Sequence, residues 1–484
     1  MNSIWADIES IKGRKMLEGE IEVEVVVIGA GMAGCLIAHQ LQKAGKEVIV
    51  LEAKRIASGQ TQNTTAKITS QHGLFYQTIL KELGEEKNWQ YAAANERAIK
   101  QFHQLIEEEK IDCDYEKTKA YLYAKEKQCL EEEVRAAQLA GIQASYVPAK
   151  ELPIQFLSCI GAVRFENQAQ FHPLKFISHI SKKLRIYENT PVRKVENNIV
   201  FTPKGKVKAE KIVFACHFPF VNFPGLYFTK MHQERSYVLA LENAMNVDGM
   251  YIGVEKHSFS FRNWGKYLLF GGEGHRTGEN IMGGHYKVLE QKARELFPNC
   301  TIVRKWSAQD CVTIDQTPYI GNFASNQPNW YIATGFKKWG MTSSMVSAML
   351  LTDMICGRKN SMADVFNPKR SIVGSLPEVL EEGKTAVQSI TKRIFQVPKE
   401  SIKELLPGHG GVAVFGGEKV GVYKDEKEKI YAVNIKCPHL GCQLEWNPDE
   451  KTWDCPCHGS RFDYRGNLLS NPAQNSLECC CSIK

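Results

Sequence analysis

At 484 residues the chain exceeds what one hydrophobic core organises, so two or three domains are expected. Hydrophobic residues at 43% and charged residues at 24% sit near globular averages, which excludes a disordered or repeat-built fibrous chain. The net charge of +7 is small for this length, with Lys and Arg interspersed among Glu and Asp, so no nucleic-acid partner is expected.

The opening Met1-Asn-Ser-Ile-Trp-Ala-Asp7 soon meets Glu9, Lys12 and Arg14, unlike a secretory leader, and residues 1–20 read as an N-terminal extension. The most apolar later stretch, Met341 to Cys356, is interrupted by Ser343, Ser344, Ser347, Thr352 and Asp353, so no transmembrane segment is expected. Eight of the fifteen cysteines are scattered before residue 360, as buried thiols of a reducing compartment would be, and a cytoplasmic protein is expected. The other seven crowd into positions 437 to 481, the first sign of a metal-bearing C-terminal module.

Val23 to Ile28 is a valine-rich strand pattern, followed by Gly29-Ala-Gly31-Met-Ala-Gly34 and a helix-like stretch to Gln42. Gly29 would make a tight turn, Gly31 would let the backbone approach a pyrophosphate at the helix N-terminus, and Gly34 would permit close helix-on-strand packing. A second strand, Glu47 to Leu51, ends at Glu52, whose carboxylate can accept hydrogen bonds from a ribose diol. The unit predicts dinucleotide binding and leaves FAD and NAD both open.

Further along, Arg55-Ile-Ala-Ser58-Gly59-Gln-Thr61 with Thr64-Thr65-Ala66-Lys67, then Thr190-Pro-Val192 and Lys211 to Ala215, resemble the D-amino acid oxidase family of flavoproteins, which includes glycine and sarcosine oxidases. The later segments Trp306 to Asp310, Thr313 to Gly321 and Tyr331-Ile-Ala-Thr-Gly335-Phe-Lys-Lys-Trp-Gly340-Met341 resemble that family's return to the flavin. The resemblance implies FAD, held by Gly29, Gly31, Gly34, Glu52, Ser58, Thr61, Thr65, Ala66, Val192, Gly335, Gly340 and Met341. A helix starting near Thr342 could aim its positive end at the flavin edge that gains charge on reduction.

Between these pieces a largely helical stretch, Trp89 to Ala140, and a sheet-like region, Arg235 to Phe270, are expected to build the substrate side. His72, Tyr237, Arg262, Lys337 and Lys338 are polar candidates there, with Lys338 and Arg262 taken as the catalytic pair. Residues 366–397 read as a linker, with Val379, Leu380, Val387, Ile390 and Ile394 at helical spacing.

The C-terminal module, expected over 398–484, starts with alternating strands Val412 to Phe415, Lys419 to Tyr423 and Lys429 to Ile435. It then reads Cys437-Pro-His439-Leu-Gly441-Cys442 and Cys455-Pro-Cys457-His458-Gly459-Ser460-Arg461-Phe462. Two thiolates and two imidazoles suit a 2Fe-2S cluster, one pair per iron, and Pro438, Gly441, Pro456 and Gly459 favour turns that aim backbone N–H groups inward. Structural zinc is the competing reading of two Cys and two His, though it leaves Cys442 and Cys457 unexplained.

The two boxes resemble those of Rieske proteins, in particular the type found in quinol-oxidising complexes. The resemblance implies Cys437 and Cys455 on one iron, His439 and His458 on the other, a disulfide between Cys442 and Cys457, and a cluster hydrogen bond from Ser460. Phe462 stands where the high-potential members of the family carry a tyrosine, so a lower potential is expected. Cys479, Cys480 and Cys481 fall where a final strand is expected, and no chemistry is assigned to them.

The fold class expected is an α/β Rossmann-like FAD domain with an α+β substrate domain over 21–365, discontinuous in sequence, plus a small all-β Rieske domain. The function implied is an FAD-dependent oxidoreductase acting on CH–NH or CH–NH2 groups of an amine or amino-acid-like substrate. It would exchange electrons with the cluster and, beyond it, with a one-electron acceptor or donor protein or a quinone. Two alternatives stand beside it. A Rieske oxygenase would need two His and a carboxylate on one face, and no His-x4-His pair has an acidic neighbour here. A non-enzymatic redox sensor would need no substrate side.

Overall fold

The computed structural model of the chain describes residues 3–7, 11–156, 158–370, 405–415 and 417–479. The linker positions Val379 to Ile394, the expected module start at 398, and Cys480 and Cys481 lie outside the described residues.

Gly19–Ile28 lies inside an eight-stranded sheet whose main path runs Tyr319–Ala324, Gln327–Thr334, Gly205–Phe214, Gly19–Ile28, Val48–Leu51 and Ile186–Tyr187. All neighbours on that path are parallel except the edge pair Tyr319–Ala324 and Gln327–Thr334. Val25 and Val27 enter one core and Val26 and Ile28 another, so both faces are covered and the strand needs no polar positions. Helices Met32–Lys43 and Gly340–Ile355 pack on each other over the first of these cores.

A nine-stranded sheet forms the other half of the large domain. In it Met231–Glu242 is flanked by Tyr267–Arg276 and Thr301–Thr313, and the register sets Glu234 opposite Asp310 and Arg235 opposite Gln309. The stretch expected to be largely helical consists of helices Phe75–Glu108 and Lys127–Leu139 separated by a strand, Glu116–Ala124. Tyr121, Leu122 and Tyr123 pair there with Arg164, Val163 and Ala162, an aromatic and aliphatic run that a pleated surface accommodates. The first helix is broken at Gly84, whose φ of 83° is open to glycine and strained for other residues.

The described part of residues 1–20 packs into this domain. Ile4 and Trp5 are buried, and the Trp5 indole donates to Thr64 O at 2.7 Å. The C-terminal module is all β: a three-stranded sheet of Gly410–Phe415, Glu418–Lys424 and Ile430–Asn434, and a four-stranded sheet of Glu445–Asn447, Thr452–Asp454, Arg461–Asp463 and Leu468–Ser470. Tyr423, Leu444, Trp446, Trp453 and Phe462 fill its core, and Cys479 makes a single antiparallel bridge to Val433. No helix among the described residues is long and apolar enough to cross a membrane.

Candidate functional site

The glycine turn sits at the carboxyl end of Gly19–Ile28, where an open parallel sheet leaves its crevice. Gly29 has φ 108°, and a Cβ on it would lie 2.5 Å from Ala215 O. A Cβ on Gly34 would lie 1.8 Å from Gly29 O, so only glycine lets the helix come this close to the turn. Beyond the turn opens a cavity of about 350 Å³.

Of the residues expected at the flavin, Gly29, Gly31, Glu52, Ser58, Thr61, Val192, Gly335, Gly340 and Met341 line this cavity, as do Lys337 and Lys338. Glu52 accepts from Ala30 N and Lys54 N, both at 2.8 Å, while burial raises its carboxyl above the usual range. Gly34 lies behind the turn. Thr65 and Ala66 are not among the lining residues, and Thr64 stands in their place. Thr65 Oγ1 accepts from Lys67 Nζ at 3.1 Å, and Ala66 O accepts from Arg262 Nη1 at 2.8 Å.

Arg262 does not line the cavity. It is 0% exposed, holds Ala66 O and Phe171 O, and stacks over Trp5. His72 is bonded to Tyr91 Oη and Thr69 O and stacks on Trp339, and the Tyr237 hydroxyl meets His275 and Asn280. These three side chains support packing.

Asp310, Cys216, His217 and Cys311 also line the cavity and were not singled out as site residues from the sequence. The signal for Asp310 was the strand alternation from Trp306, which places Ala308 and Asp310 on one face. Burial raises the Asp310 carboxyl to about 7, with Glu234 adding to the rise and Lys338, Arg235 and Lys337 opposing it. Burial lowers Lys337 to about 8.

In the C-terminal module the two boxes form matching turns. Gly441 N donates to Cys437 O and Gly459 N to Cys455 O, each at 2.9 Å, with φ of 80° and 77° at the two glycines. A disulfide joins Cys442 to Cys457 across the turns, which accounts for both cysteines that a zinc site would leave over. The Cys437 thiol is lowered by its hydrogen bond to Cys455, against burial, with further help from the His439 N–H and the Ser460 hydroxyl. The His439 and His458 rings stand edge to face with centroids 4.9 Å apart. His439 Nδ1 is buried with no hydrogen-bond partner among the described residues. Two buried cysteine sulfurs and a bare imidazole nitrogen belong to the donor set a Rieske cluster takes, so the residues present fit that group.

The turns face the large domain. His439 Nε2 donates to Asn222 Oδ1 at 2.8 Å, and Phe228 stands edge-on to both imidazoles, at 6.1 Å from His439 and 5.7 Å from His458. Gln233 Nε2 donates to His458 O at 2.6 Å, and Gln309 Nε2 to Gly459 O at 2.7 Å. A Cβ on Gly459 would lie 2.6 Å from Gln233 Cβ, so this glycine also permits the close approach of the two domains. The module closes part of the cavity wall as well, through Leu468 to Asn471 and Gln474, and Asn471 Nδ2 donates to Cys216 O at 2.9 Å.

The family model described as FAD dependent oxidoreductase matches residues 24–354, and the Rieske [2Fe-2S] domain model matches residues 396–480. Putative Rieske 2Fe-2S iron-sulfur protein YhfW of Bacillus subtilis (strain 168) is 35% identical, over 98% of this chain and 96% of its own. The cytochrome b6-f complex iron-sulfur subunit of Nostoc punctiforme is 43% identical over 63 residues, 13% of this chain and 35% of its own. In fold, the large domain is similar to L-proline dehydrogenase from P. horikoshii, with a TM-score of 0.62 and 20% identity over 74% of this chain and 100% of that one.

Proposed function

Because the chain belongs to the FAD-dependent oxidoreductase family and carries a Rieske 2Fe-2S domain, we propose that it oxidises a C–N bond of an amine or amino-acid-like substrate and exchanges the electrons between its FAD and its own cluster. For a primary amine with a hydrogen on the carbon that bears nitrogen, the balance is amine plus water giving a carbonyl compound, ammonia, two protons and two electrons. The electrons leave one at a time to a one-electron carrier protein or a quinone. When bound, FAD supplies the two-electron acceptor and the cluster the one-electron relay.

The observation that carries this reading is the shared wall. Leu468 to Asn471 of the cluster module line the dinucleotide cavity, and Asn222 of the cavity domain bonds a box histidine. This arrangement supports electron exchange between the two sites.

The residues take their roles from their chemistry. Gly29, Gly31 and Gly34 seat the pyrophosphate on the helix N-terminus, and Glu52 takes the ribose hydroxyls. Cys437 and Cys455 bind one iron and His439 and His458 the other, with Cys442–Cys457 holding the two turns together and Ser460 donating to cluster sulfur. In the cavity, Lys338 would hold a substrate carboxylate. Asp310, which lines the cavity with its carboxyl raised to about 7, would take the proton that an alkylammonium must lose before its C–N bond can be oxidised.

Anaerobic stopped-flow spectra with a panel of amines and amino acids test the proposal. One donor should bleach flavin and cluster together. A cluster that stays oxidised while every effective donor reduces only the flavin would overturn it.

A further inference from the structure

Asn222 and His439 lie 217 residues apart and on different domains, yet they share a 2.8 Å hydrogen bond. The amide oxygen can only accept, so His439 Nε2 carries the proton and the lone pair falls on Nδ1. That is the tautomer an imidazole must adopt to bind a metal through Nδ1, the buried atom that has no other partner among the described residues. Asn222 is itself anchored, because its carbonyl accepts from Leu226 N at 2.9 Å and closes a turn.

The segment that bears Asn222 has a second end. Ala215, Cys216, His217 and Phe220 line the dinucleotide cavity, while Phe218 packs 6.3 Å from the His458 ring and Asn222 bonds His439. One short run of chain therefore leads from the cavity to the box histidines. The module grips this segment in return, with Asn471 Nδ2 donating to Cys216 O and to Phe218 O.

We infer that Asn222 is a positioning residue for the cluster: it selects the metal-binding tautomer of His439, turns that imidazole edge toward the flavin domain and lowers the cluster's reduction potential. The inference rests on the reading that Cys437, His439, Cys455 and His458 hold a 2Fe-2S cluster. An acceptor on the far nitrogen makes a ligating imidazole a stronger donor, which favours the oxidised over the reduced metal. It also engages the one N–H of His439 through which an outside quinol or carrier could hydrogen-bond to that ligand.

The test is a dithionite titration of the full-length holoprotein, followed by the electron paramagnetic resonance of the reduced cluster, with iron and acid-labile sulfide measured on the same samples. Asn222→Leu keeps the volume and removes the acceptor. It should raise the midpoint potential so that the reduction equilibrium shifts about tenfold, about 59 mV for one electron. Asn222→Asp strengthens the acceptor and should shift it the opposite way. If the Leu variant loses its cluster, retention in the Asp variant with a lowered potential supports the role.

Equal potentials in all three proteins, or loss of the cluster from both variants, would overturn it. Dithionite needs no substrate, so these outcomes are independent of whether any amine reduces the enzyme. A chain in which the Asn222 series behaves as expected while no amine bleaches the flavin would contradict only the proposed function.

Discussion

Arg235 of the large domain and Glu450 of the cluster module form an ion pair across their interface, with Nε to Oε2 at 3.0 Å and Nη2 to Oε1 at 2.6 Å. Arg461 joins from the module at 3.0 Å, and the Ser307 hydroxyl donates to the same carboxylate. Burial disfavours charge on Glu450, but Arg235, Arg461 and Ser307 outweigh it and hold the carboxyl at about 2.

Arg235→Met should therefore destabilise the folded protein by about 3 kcal/mol, because it leaves a buried carboxylate with one cation instead of two. Urea unfolding of the holoprotein at neutral pH measures this, and an unchanged midpoint would refute it. The free carboxyl titrates near 4.5 and the folded one near 2, so the contribution is full above pH 4.5 and fades as the pH falls toward 2. The gap between wild type and Arg235→Met should narrow as the pH is lowered through that window.

Gly34→Ala should separate the two cofactors. Its Cβ would overlap Gly29 O and push the helix off the phosphate turn, whereas the box turns lie in another domain. FAD affinity is expected to fall at least about tenfold, the equivalent of about 1.4 kcal/mol, with iron and sulfide content retained. Equal losses of flavin and iron would show that the effect is general unfolding.

Phe462→Tyr places a hydroxyl in a core position that is 0% exposed and paired in register with Trp453. A phenol there that donates to cluster sulfur favours the more negative reduced form, so the midpoint potential should rise by the equivalent of about 1 kcal/mol. A redox titration with no upward shift would defeat the assignment.

Asp310→Asn removes the carboxyl assigned to proton acceptance. Wild-type kcat/KM should increase with pH through about 7, because only the ionised form of Asp310 accepts a proton. In the variant that limb should vanish and turnover should drop by about 10² to 10⁴. Retention of the limb would assign it to another group.

Cys442→Ser together with Cys457→Ser removes a staple that closes a loop of 15 residues. The loop-closure account gives about 3 kcal/mol for that length, so the module should melt earlier and release iron faster under a chelator. Identical release rates would show that the cluster alone holds the two turns.

The glycine turn, Glu52 and the two boxes were legible because each is a local device, with a turn, its N–H groups and its side chains supplied by a few consecutive residues. The antiparallel strands ahead of the first box were readable for the same reason, since alternation is a property of neighbours. The burial of Trp5, the inward face of Asp310, the burial of Arg262 away from the cavity and the meetings of Asn222 with His439 and Arg235 with Glu450 were decided only by the tertiary structure. Each depends on sheet register or on how two domains dock, which brings together residues more than 200 positions apart. A side chain's chemistry is written in its type, but its partner is chosen by the packing of everything between.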